Sequence, residues 1–395
     1  MKCLWIAREI PFPANSGDRI YSAFLSQAFA ASNGGLTFVA LENKGEQAEF
    51  DTSLVKLITV GGGRYSLLRG LLSTMPLVSA VHATQSFHQA LGKLFSEQWD
   101  VIVFDHYASG WALQKYLRKV GKQSRAKMVY IAHNHEEKVL RAVAAESKTS
   151  WIKKLGFWQN YFKVKAMERF MVERVDVVTA ITDEDKQTFL QNTPGKHIEI
   201  LTPGYSGRVV PQRKLMESDS MNVVMLGSFH WAAKQENLRQ FLKIADPIFL
   251  QAGVTFHVIG SMSQVLRDEL LPQLNATQLH GFVDDPAAIL DASRIALVPE
   301  AIGGGFKLKF LDYIFQRLPV ATLEDAASGL PDEIRAQMIC SKTHEQMAHD
   351  IVSNIVDINR LNTMQENAFA LASNLFLWAD RGDALLSAVS PSVKQ

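Results

Sequence analysis

The chain has 395 residues, of which 47% are hydrophobic and 21% charged, proportions that are ordinary for a soluble globular protein. This length predicts two domains, since a single core rarely grows beyond about 250–300 residues. The 41 Lys and Arg nearly cancel the 40 Asp and Glu, which argues against nucleic acid as a partner. No stretch of about 18 uninterrupted apolar residues is present, so no membrane span is predicted.

The first predicted element is a strand at residues 3–7. The apolar stretch is broken by Arg8 and Glu9, which indicates a buried strand and not a signal peptide. Cys3 lies in this strand and the only other cysteine, Cys340, is distant in the sequence. That usage favours a reduced protein over a disulfide scaffold, so we expect a cytoplasmic location.

Short apolar runs alternate with helical periodicity along the chain. Strands rich in Val, Ile and Leu that alternate with helices predict parallel sheets covered on both faces. The predicted strands are 3–7, 36–41, 56–60, 101–104, 128–132, 177–180 and 198–201, then 222–226, 255–259, 278–280, 294–298, 320–322 and 338–340. Helices are predicted at 19–31, 183–191, 235–242 and 344–357.

A polar, basic segment with Pro and Gly at 203–218 interrupts this series and predicts an interdomain linker. The fold class is therefore α/β, with two Rossmann-like, doubly wound domains that face a central cleft. We expect domains at 1–203 and 204–375, and a C-terminal helix within 376–395 that packs back on the first domain. In such folds ligands bind at the carboxyl ends of the strands.

The segment 151–170 departs from the pattern because aromatic and basic residues alternate in it. They are Trp151, Phe157, Trp158, Tyr161, Phe162 and Phe170, with Lys153, Lys154, Lys163, Lys165 and Arg169. One interpretation is a helix that contacts anionic headgroups at the inner face of the cell membrane. The other is a long helix that packs its aromatics on the sheet while its lysines stay solvated.

Candidate ligand-binding residues follow several strands of the first half. The loop 11–19 leads from the first strand into a helix, and its Gly17 leaves backbone amides free to approach a phosphate. His106 and His133 each follow a strand, and histidine is the side chain most easily poised for proton handling near neutral pH. A zinc site at His133, His135 and Glu136 lacks a further spaced ligand, so no metal is predicted.

The strand ends of the second half carry similar features. Ser228 follows the strand at 222–226, with Lys234 shortly after it, and Phe282 and Val283 follow the strand at 278–280. These positions are where a nucleotide lies in doubly wound folds. We expect Phe282 and Val283 to flank its base.

A glycine-rich run follows the strand at 294–298 and ends in a helical pattern. It comprises Gly303, Gly304, Gly305, Phe306, Lys307, Leu308, Lys309, Phe310, Leu311 and Asp312. Glycines permit close backbone approach to a ligand, lysines suit phosphates, and a carboxylate accepts hydroxyl groups. The run is neither a Walker loop nor a Gly-x-Gly-x-x-Gly motif. It predicts a site for a sugar nucleotide, with an ordinary turn as the alternative.

With these residues, the chain resembles the glycosyltransferases of GT-B architecture, in particular the retaining family-4 transferases of bacterial polysaccharide and glycolipid synthesis. The matching motifs are the loop 11–19, His133-Asn134-x-Glu136, Gly227-Ser228-x-x-Trp231 with Asn237, Gly281-Phe282-Val283-Asp284-Asp285, and 303–312 with Leu318-Pro319-Val320. The resemblance implies a nucleotide-diphosphate sugar donor in the second domain and a glycan or lipid-linked acceptor in the first. It implies no cofactor and no metal.

The resemblance also implies individual roles. Asp312 matches the second conserved glutamate of the family, which holds the donor ribose, and Lys307 and Lys309 fall where basic residues meet the diphosphate. Amides of residues 304–306 fall where the donor sugar is bound. His106 or His133 would position the acceptor hydroxyl.

Three departures from the family pattern stand out. Gly304 occupies the place of the first conserved glutamate, Asp312 is shorter than glutamate, and Ser228 replaces an arginine. Lys234 is then the alternative phosphate partner. A sugar-nucleotide epimerase of the same fold and a non-catalytic nucleotide-sugar-binding protein remain the alternative functions.

Overall fold

The computed structural model describes residues 1–42, 49–120, 126–146, 150–301 and 305–390. The chain divides into two compact units. The first comprises Met1–Gly204 with Leu377–Gln395, and the second comprises Tyr205–Phe376. Each has its own parallel sheet and its own buried apolar core.

The described residues of the first unit form a seven-stranded parallel sheet. Its strands are β1 (Cys3–Glu9), β2 (Leu36–Leu41), β3 (Val55–Val60), β4 (Val101–Asp105), β5 (Lys127–Ile131), β6 (Val177–Ala180) and β7 (His197–Ile200), in the order β3-β2-β1-β4-β5-β6-β7. Its helices are α1 (Gly17–Asn33), α2 (Leu67–Leu72), α3 (Leu77–His82), α4 (Gln85–Leu94), α5 (Gly110–Val120), α6 (Glu136–Glu146), α7 (Trp151–Arg174) and α8 (Asp183–Asn192). All of β4 is buried, as expected of a strand covered on both faces.

The described residues of the second unit form a six-stranded parallel sheet. Its strands are β8 (Asn222–Leu226), β9 (Thr255–Ile259), β10 (Thr277–Gly281), β11 (Ile295–Val298), β12 (Val320–Leu323) and β13 (Ile339–Ser341), in the order β10-β9-β8-β11-β12-β13. Its helices are α9 (Ala232–Ala252), α10 (Gln264–Leu270), α11 (Ala287–Asp291), α12 (Lys309–Phe315), α13 (Asp332–Arg335), α14 (His344–Asn354) and α15 (Ile358–Leu375).

The last described helix, α16 (Trp378–Val389), returns to the first unit and packs on α1. The two helices approach so closely that a Cβ atom on Gly382 would lie 2.4 Å from the carbonyl oxygen of Ala28. Trp378 stacks on Phe24 with ring centroids 5.8 Å apart, and Arg381 Nε donates to the carbonyl oxygen of Thr202 at 2.7 Å. The C-terminal segment is therefore part of the first core.

The predicted fold of two parallel α/β sheets is confirmed, and every predicted strand is present. The prediction of one helix over 344–357 was wrong. α14 ends at Asn354, and the Asp357 carboxylate accepts a hydrogen bond from the Arg360 amide at 3.0 Å, so it caps the start of α15 instead. The helix predicted at 235–242 is longer than expected and continues through Pro247.

In each sheet the strand order reverses beside the first strand of the unit, and the ligands of doubly wound folds bind outside the carboxyl ends of the strands at such a point. We call the position between β1 and β4 the first switch point and that between β8 and β11 the second switch point. No helix of the described residues is long and apolar enough to cross a membrane.

Candidate functional site

A small pocket that opens to solvent, with a cavity volume of about 20 Å³, lies at the first switch point. The residues that line it lie at the ends of β1 and β4, in the loops after β1, β4 and β5, or in the first turns of α1. They are Ala7, Arg8, Glu9, Pro11, Asp18, Arg19, Ser22, Asp105, His106 and His133. The cavity therefore brings together both histidines that the sequence singled out. Gly17 is the first residue of α1 but does not line the cavity.

A buried pair formed by Asp105 and His133 closes the inner wall of this cavity. His133 Nε2 lies 2.7 Å from Asp105 Oδ1, and Trp5 Nε1 donates to Asp105 Oδ2 at 2.9 Å. Burial favours the neutral acid, but the bonds from His133, Trp5 and Ser22 hold the pKa of Asp105 below its ordinary value. An anionic Asp105 requires Nε2 of His133 to carry the proton, so it fixes the tautomer and orientation of that ring.

His106 lies beside this pair in a strained backbone conformation. Its ring centroid is 5.1 Å from that of His133, and its Nε2 is 3.6 Å from Glu136 Oε1. Burial lowers the pKa of His106 to about 4 although Glu136 opposes the shift, so the ring is neutral near pH 7. Its φ of 65° and ψ of 152° lie in a region that non-glycine residues rarely adopt, and such strain concentrates at functional sites.

The cavity also holds a cluster of paired charges that the sequence did not reveal. Glu9 is buried, its Oε1 lies 3.4 Å from Arg8 Nε, and its Oε2 accepts from Arg64. Arg8 also binds Asp18. Burial opposes ionisation, but His82 and the arginines lower the pKa of Glu9 to about 2. Because the cations are paired with carboxylates, the wall offers donors and acceptors together, as hydroxyl-rich ligands require.

Glu168 is a second buried carboxylate that the sequence did not reveal. It accepts hydrogen bonds from the backbone amides of Glu136 and Glu137, each at 2.9 Å, and so caps the start of α6. Burial and the nearby Glu136 raise the pKa of Glu168 to about 8. Its role is to hold the loop that places His133 and Glu136.

At the second switch point, two lysines and a buried carboxylate converge. Lys309 Nζ donates to Glu300 Oε1 at 2.5 Å, and the two side chains are 13% and 8% exposed. Burial would raise the pKa of Glu300, but Lys309, Lys307 and Lys234 hold it below its ordinary value. Burial and then the neighbouring Lys309 lower the pKa of Lys234. Lys234 follows β8 and Glu300 follows β11, so they stand on either side of the strand reversal.

Asp312 lies on α12, one turn beyond Lys309. Burial raises its pKa to about 6, and the Tyr205 hydroxyl and Lys309 oppose that shift. The following residue, Tyr313, is fully buried and its hydroxyl accepts from the Leu226 amide at 2.6 Å, which ties α12 to the end of β8. Asp312 is thereby held near Lys309.

Only part of the glycine-rich run lies within the described residues, because Gly303 and Gly304 fall outside them. Gly305 has a φ of 72°, which glycine adopts without strain. Phe306 is half-buried, and Lys307 Nζ donates to the carbonyl oxygen of Ala326 at 3.2 Å. α12 begins at Lys309, earlier than the sequence pattern indicated.

The loops after β8, β9 and β10 are stacked on one another. Gly227 N donates to the carbonyl oxygen of Ile259 at 2.9 Å, and Gly260 N donates to that of Gly281 at 2.7 Å. Ser261 Oγ lies 3.5 Å from Ser228 Oγ, which is exposed. Beyond β10, the Phe282 ring is 73% exposed while Val283 packs on the core. Phe282 is thus accessible to a flat ligand, whereas Val283 is largely a core residue.

The glutamate at 300 is the main site residue that sequence reasoning missed. It lies two residues after the end of a predicted strand, as Ser228 and Phe282 do, so the same strand-end rule could have found it. Among the residues that the structure describes, no group of three or more His, Cys, Asp and Glu side chains is placed to hold a metal ion.

Comparison with known proteins found a family match within the second unit. Residues 220–357, most of the second unit, match the family model described as Glycosyl transferases group 1. No curated protein matches the chain by sequence.

Several solved structures share the fold. HepE of Anabaena, in complex with UDP and glucose, has 14% identity, a TM-score of 0.64, and coverage of 98% of this chain and 99% of that chain. OtsA, a trehalose-6-phosphate synthase, has 12% identity, a TM-score of 0.64 and coverage of 98% and 99%. TarM of S. aureus has 13% identity and a TM-score of 0.56, and the match covers 78% of this chain but 58% of that chain.

At such identities the likeness establishes the fold, while the family model identifies the domain that contains Lys234, Glu300, Lys309 and Asp312. The second unit therefore carries a match to the group 1 glycosyltransferases, and the chain as a whole has the GT-B fold of these solved structures.

Proposed function

We propose that the protein transfers a sugar from a nucleoside-diphosphate sugar to a glycan or lipid-linked acceptor, with retention of configuration and without a metal ion. The second unit holds the donor and the first unit holds the acceptor. The observation that carries the proposal is the convergence of Lys234, Lys309 and Asp312 at the second switch point. HepE, which shares the fold, was crystallised with UDP and with UDP-glucose.

The lysines suit the diphosphate because it is the leaving group of the reaction. Negative charge grows on it as the glycosidic bond breaks, and fixed cations at that point lower the barrier. Lys234 stands in the first turn of α9, which has no acidic residue and no side-chain cap at its start. Its free amides add a favourable field for the same phosphates. Asp312 accepts the ribose hydroxyls, and the exposed Phe282 ring stacks on the base.

The first unit supplies polar groups for the acceptor. His106 and His133 stand over the cavity at the first switch point, with His133 oriented by Asp105. A neutral histidine accepts a hydrogen bond from a hydroxyl, and the paired charges of Arg8 and Glu9 provide further donors and acceptors. The two histidines therefore position the acceptor hydroxyl.

Replacing Lys309 by alanine tests the donor site. We expect kcat/KM for sugar transfer to fall by about 10²–10³, the usual effect of removing one group that stabilises developing charge. Lys243→Ala is the matched control, since Lys243 is exposed on α9 in the same unit. The assay measures nucleotide release with and without an acceptor. Near-normal sugar transfer by the Lys309→Ala variant would contradict the role of Lys309 at the diphosphate. Formation of an isomerised sugar nucleotide in the absence of an acceptor would instead indicate an epimerase.

The donor base is found by a thermal-shift screen against nucleoside diphosphates and their sugars. A ligand that binds only the folded protein raises its melting temperature, and by more as its concentration exceeds the dissociation constant. We expect at least one pair of nucleoside diphosphate and sugar nucleotide to stabilise the wild-type protein.

We also propose that the first unit contacts an anionic membrane surface, which brings it to a lipid-linked acceptor. The two halves of α7 differ: Tyr161, Val164, Met167 and Met171 are buried in the second half. In the first half, Trp151, Ile152 and Leu155 are 76%, 64% and 64% exposed. Among its aromatic residues, Tyr161 is buried and Phe170 packs against the core, whereas Trp151, Phe157 and Phe162 are exposed.

α2 extends this apolar surface, which the sequence did not indicate. Lys163 Nζ donates to the carbonyl oxygen of Leu71 at 2.9 Å, so α2 lies beside α7. Leu67, Leu68 and Leu72 on α2 are 66%, 67% and 82% exposed. Two neighbouring helices with exposed apolar side chains and lysines at 153 and 154 have the composition of a membrane-surface element.

Co-sedimentation with phosphatidylglycerol-containing vesicles tests this contact. We expect Trp151→Ser with Leu155→Ser to weaken vesicle binding by about tenfold or more, because membrane affinity scales with buried apolar area. Leu250→Ser is the control, since Leu250 is 53% exposed in the second unit. Equal losses in the two proteins would contradict the proposed surface. Replacing Lys153 and Lys154 by glutamine should remove the preference for anionic lipid.

A further inference from the structure

Glu300 is fixed at the second switch point by its surroundings. It follows β11 and the intervening Pro299, and it is 7% exposed. The carbonyl oxygen of Pro299 lies 2.9 Å from His344 Nε2, at the start of α14, which holds this strand end in place. A buried carboxylate costs free energy unless it is paired, and Glu300 meets this condition through Lys309.

The Glu300 carboxylate has few hydrogen-bond partners among the described residues, and the surrounding charge is mainly positive. Lys309 donates to Oε1, and no other described residue donates a hydrogen bond to this carboxylate. A carboxylate has about four acceptor sites, so the described residues leave most of its capacity unused. Three lysines act on it, Lys309, Lys307 and Lys234, which leaves a surplus of positive charge for a diphosphate. The carboxylate itself repels phosphate oxygens and accepts hydroxyl groups.

A sugar nucleotide offers hydroxyl groups on both sides of its diphosphate: those of the ribose, which Asp312 is proposed to bind, and those of the donor sugar. The position eight residues before Asp312, where a carboxylate was expected, is Gly304. We infer that Glu300, held by its pairing with Lys309, binds a hydroxyl of the donor sugar. The end of β11 thus supplies the carboxylate that position 304 lacks. This inference rests on the proposed donor site.

Glu300→Gln tests it, because glutamine keeps the size of the side chain but removes the charge. UDP and UDP-glucose are the probes, or the pair that the thermal-shift screen selects, and calorimetry measures each dissociation constant. We expect UDP-glucose to bind about tenfold more weakly, the effect of losing one charge-assisted hydrogen bond. UDP is expected to bind as tightly as before or more tightly, because a negative charge beside the diphosphate is gone.

Glu269→Gln is the control, since Glu269 forms an exposed ion pair with Arg239 in the same unit. It should change neither constant. If Glu300→Gln weakens the binding of UDP and of UDP-glucose by the same factor, Glu300 only supports Lys309. If neither dissociation constant changes, Glu300 lies outside the site. Either result overturns the inference and leaves the donor site intact. A wild-type protein that binds no nucleoside diphosphate overturns the donor site as well.

Glu300→Asp guards against a glutamine variant that does not fold. It keeps the charge but withdraws it by one methylene. We expect the same selective weakening of UDP-glucose, by a smaller factor, with an unchanged circular dichroism spectrum. A uniform change in both ligands would again contradict a role in sugar recognition.

Discussion

The two switch points of the molecule have the same topology and opposite chemistry. At the first, between β1 and β4, a buried Asp105 orients His133, and the arginines are paired with carboxylates. At the second, between β8 and β11, three lysines act on a single Glu300. The first favours neutral, hydroxyl-bearing ligands and the second favours anions. In the proposed function the two units bind the two substrates of a transfer reaction, and the residues that follow the strands distinguish their sites.

The loops at the second switch point are tightly packed. A substitution that disrupts this packing should cause the largest loss of stability among these predictions. A Cβ atom at Gly260, whose φ is 141°, would lie 1.5 Å from the carbonyl oxygen of Gly227. We expect Gly260→Ala to destabilise the second unit by more than about 4 kcal/mol, the upper range for a single substitution. Chemical denaturation followed by circular dichroism measures the loss, and binding of the donor nucleotide should disappear with it.

Gly156→Ala is the matched control. Gly156 lies in α7 with nothing within 4 Å of its added Cβ atom. Alanine is favoured over glycine in a helix by about 0.5–1 kcal/mol, so this variant should be slightly more stable than the wild type. A Gly260→Ala protein of wild-type stability would show that the loops of the second unit are not packed as described.

Acidification should affect the two switch points in opposite directions. The pKa of His106 is about 4 in the folded protein and 6.5 as its ordinary value, so its contribution to stability is present above pH 6.5 and lost toward pH 4. The pKa of Asp312 is raised from 3.8 to about 6, so its contribution is present below pH 3.8 and lost as the pH rises through 6. Each effect is on the order of 2 kcal/mol.

Melting temperatures of His106→Gln and Asp312→Asn between pH 4 and 7 check this opposition. Relative to the wild type, the first variant should lose less stability on acidification, and the second should lose more. Donor binding should weaken below about pH 6 in the wild type, since protonated Asp312 no longer accepts two hydroxyls. Curves that run parallel for all three proteins would mean that neither group titrates as its surroundings indicate.

The smallest expected effect concerns the strained backbone at the first switch point. His106→Ala keeps the unfavourable φ of 65°, whereas His106→Gly removes the strain. We expect the glycine variant to be more stable than the alanine variant by about 1 kcal/mol, the reverse of their usual order. Urea denaturation of the two proteins measures the difference. The usual order, with alanine more stable, would show that this backbone is not strained.

Much of the candidate site could be predicted because it obeys a local rule. Polar residues within two positions of the end of an apolar strand marked His106, His133 and Ser228, since the carboxyl ends of parallel strands meet at one edge. The pairing of Trp5 with Asp105 could not be predicted, because a hundred residues separate them and only the β1–β4 register joins them. The pairing of Glu9 with Arg64 could not be predicted either, because 55 residues separate them and only the folded sheet brings them together.

By itself the sequence determined the two parallel sheets, the place of the break between the units and the strand ends that carry polar residues. These depend on periodicity and on turn residues, which act over a few positions. The tertiary structure decided which side chains share a wall, which half of α7 is exposed, and that Glu300 pairs with Lys309. Burial and pairing are set by segments far apart in the chain, so no local pattern encodes them.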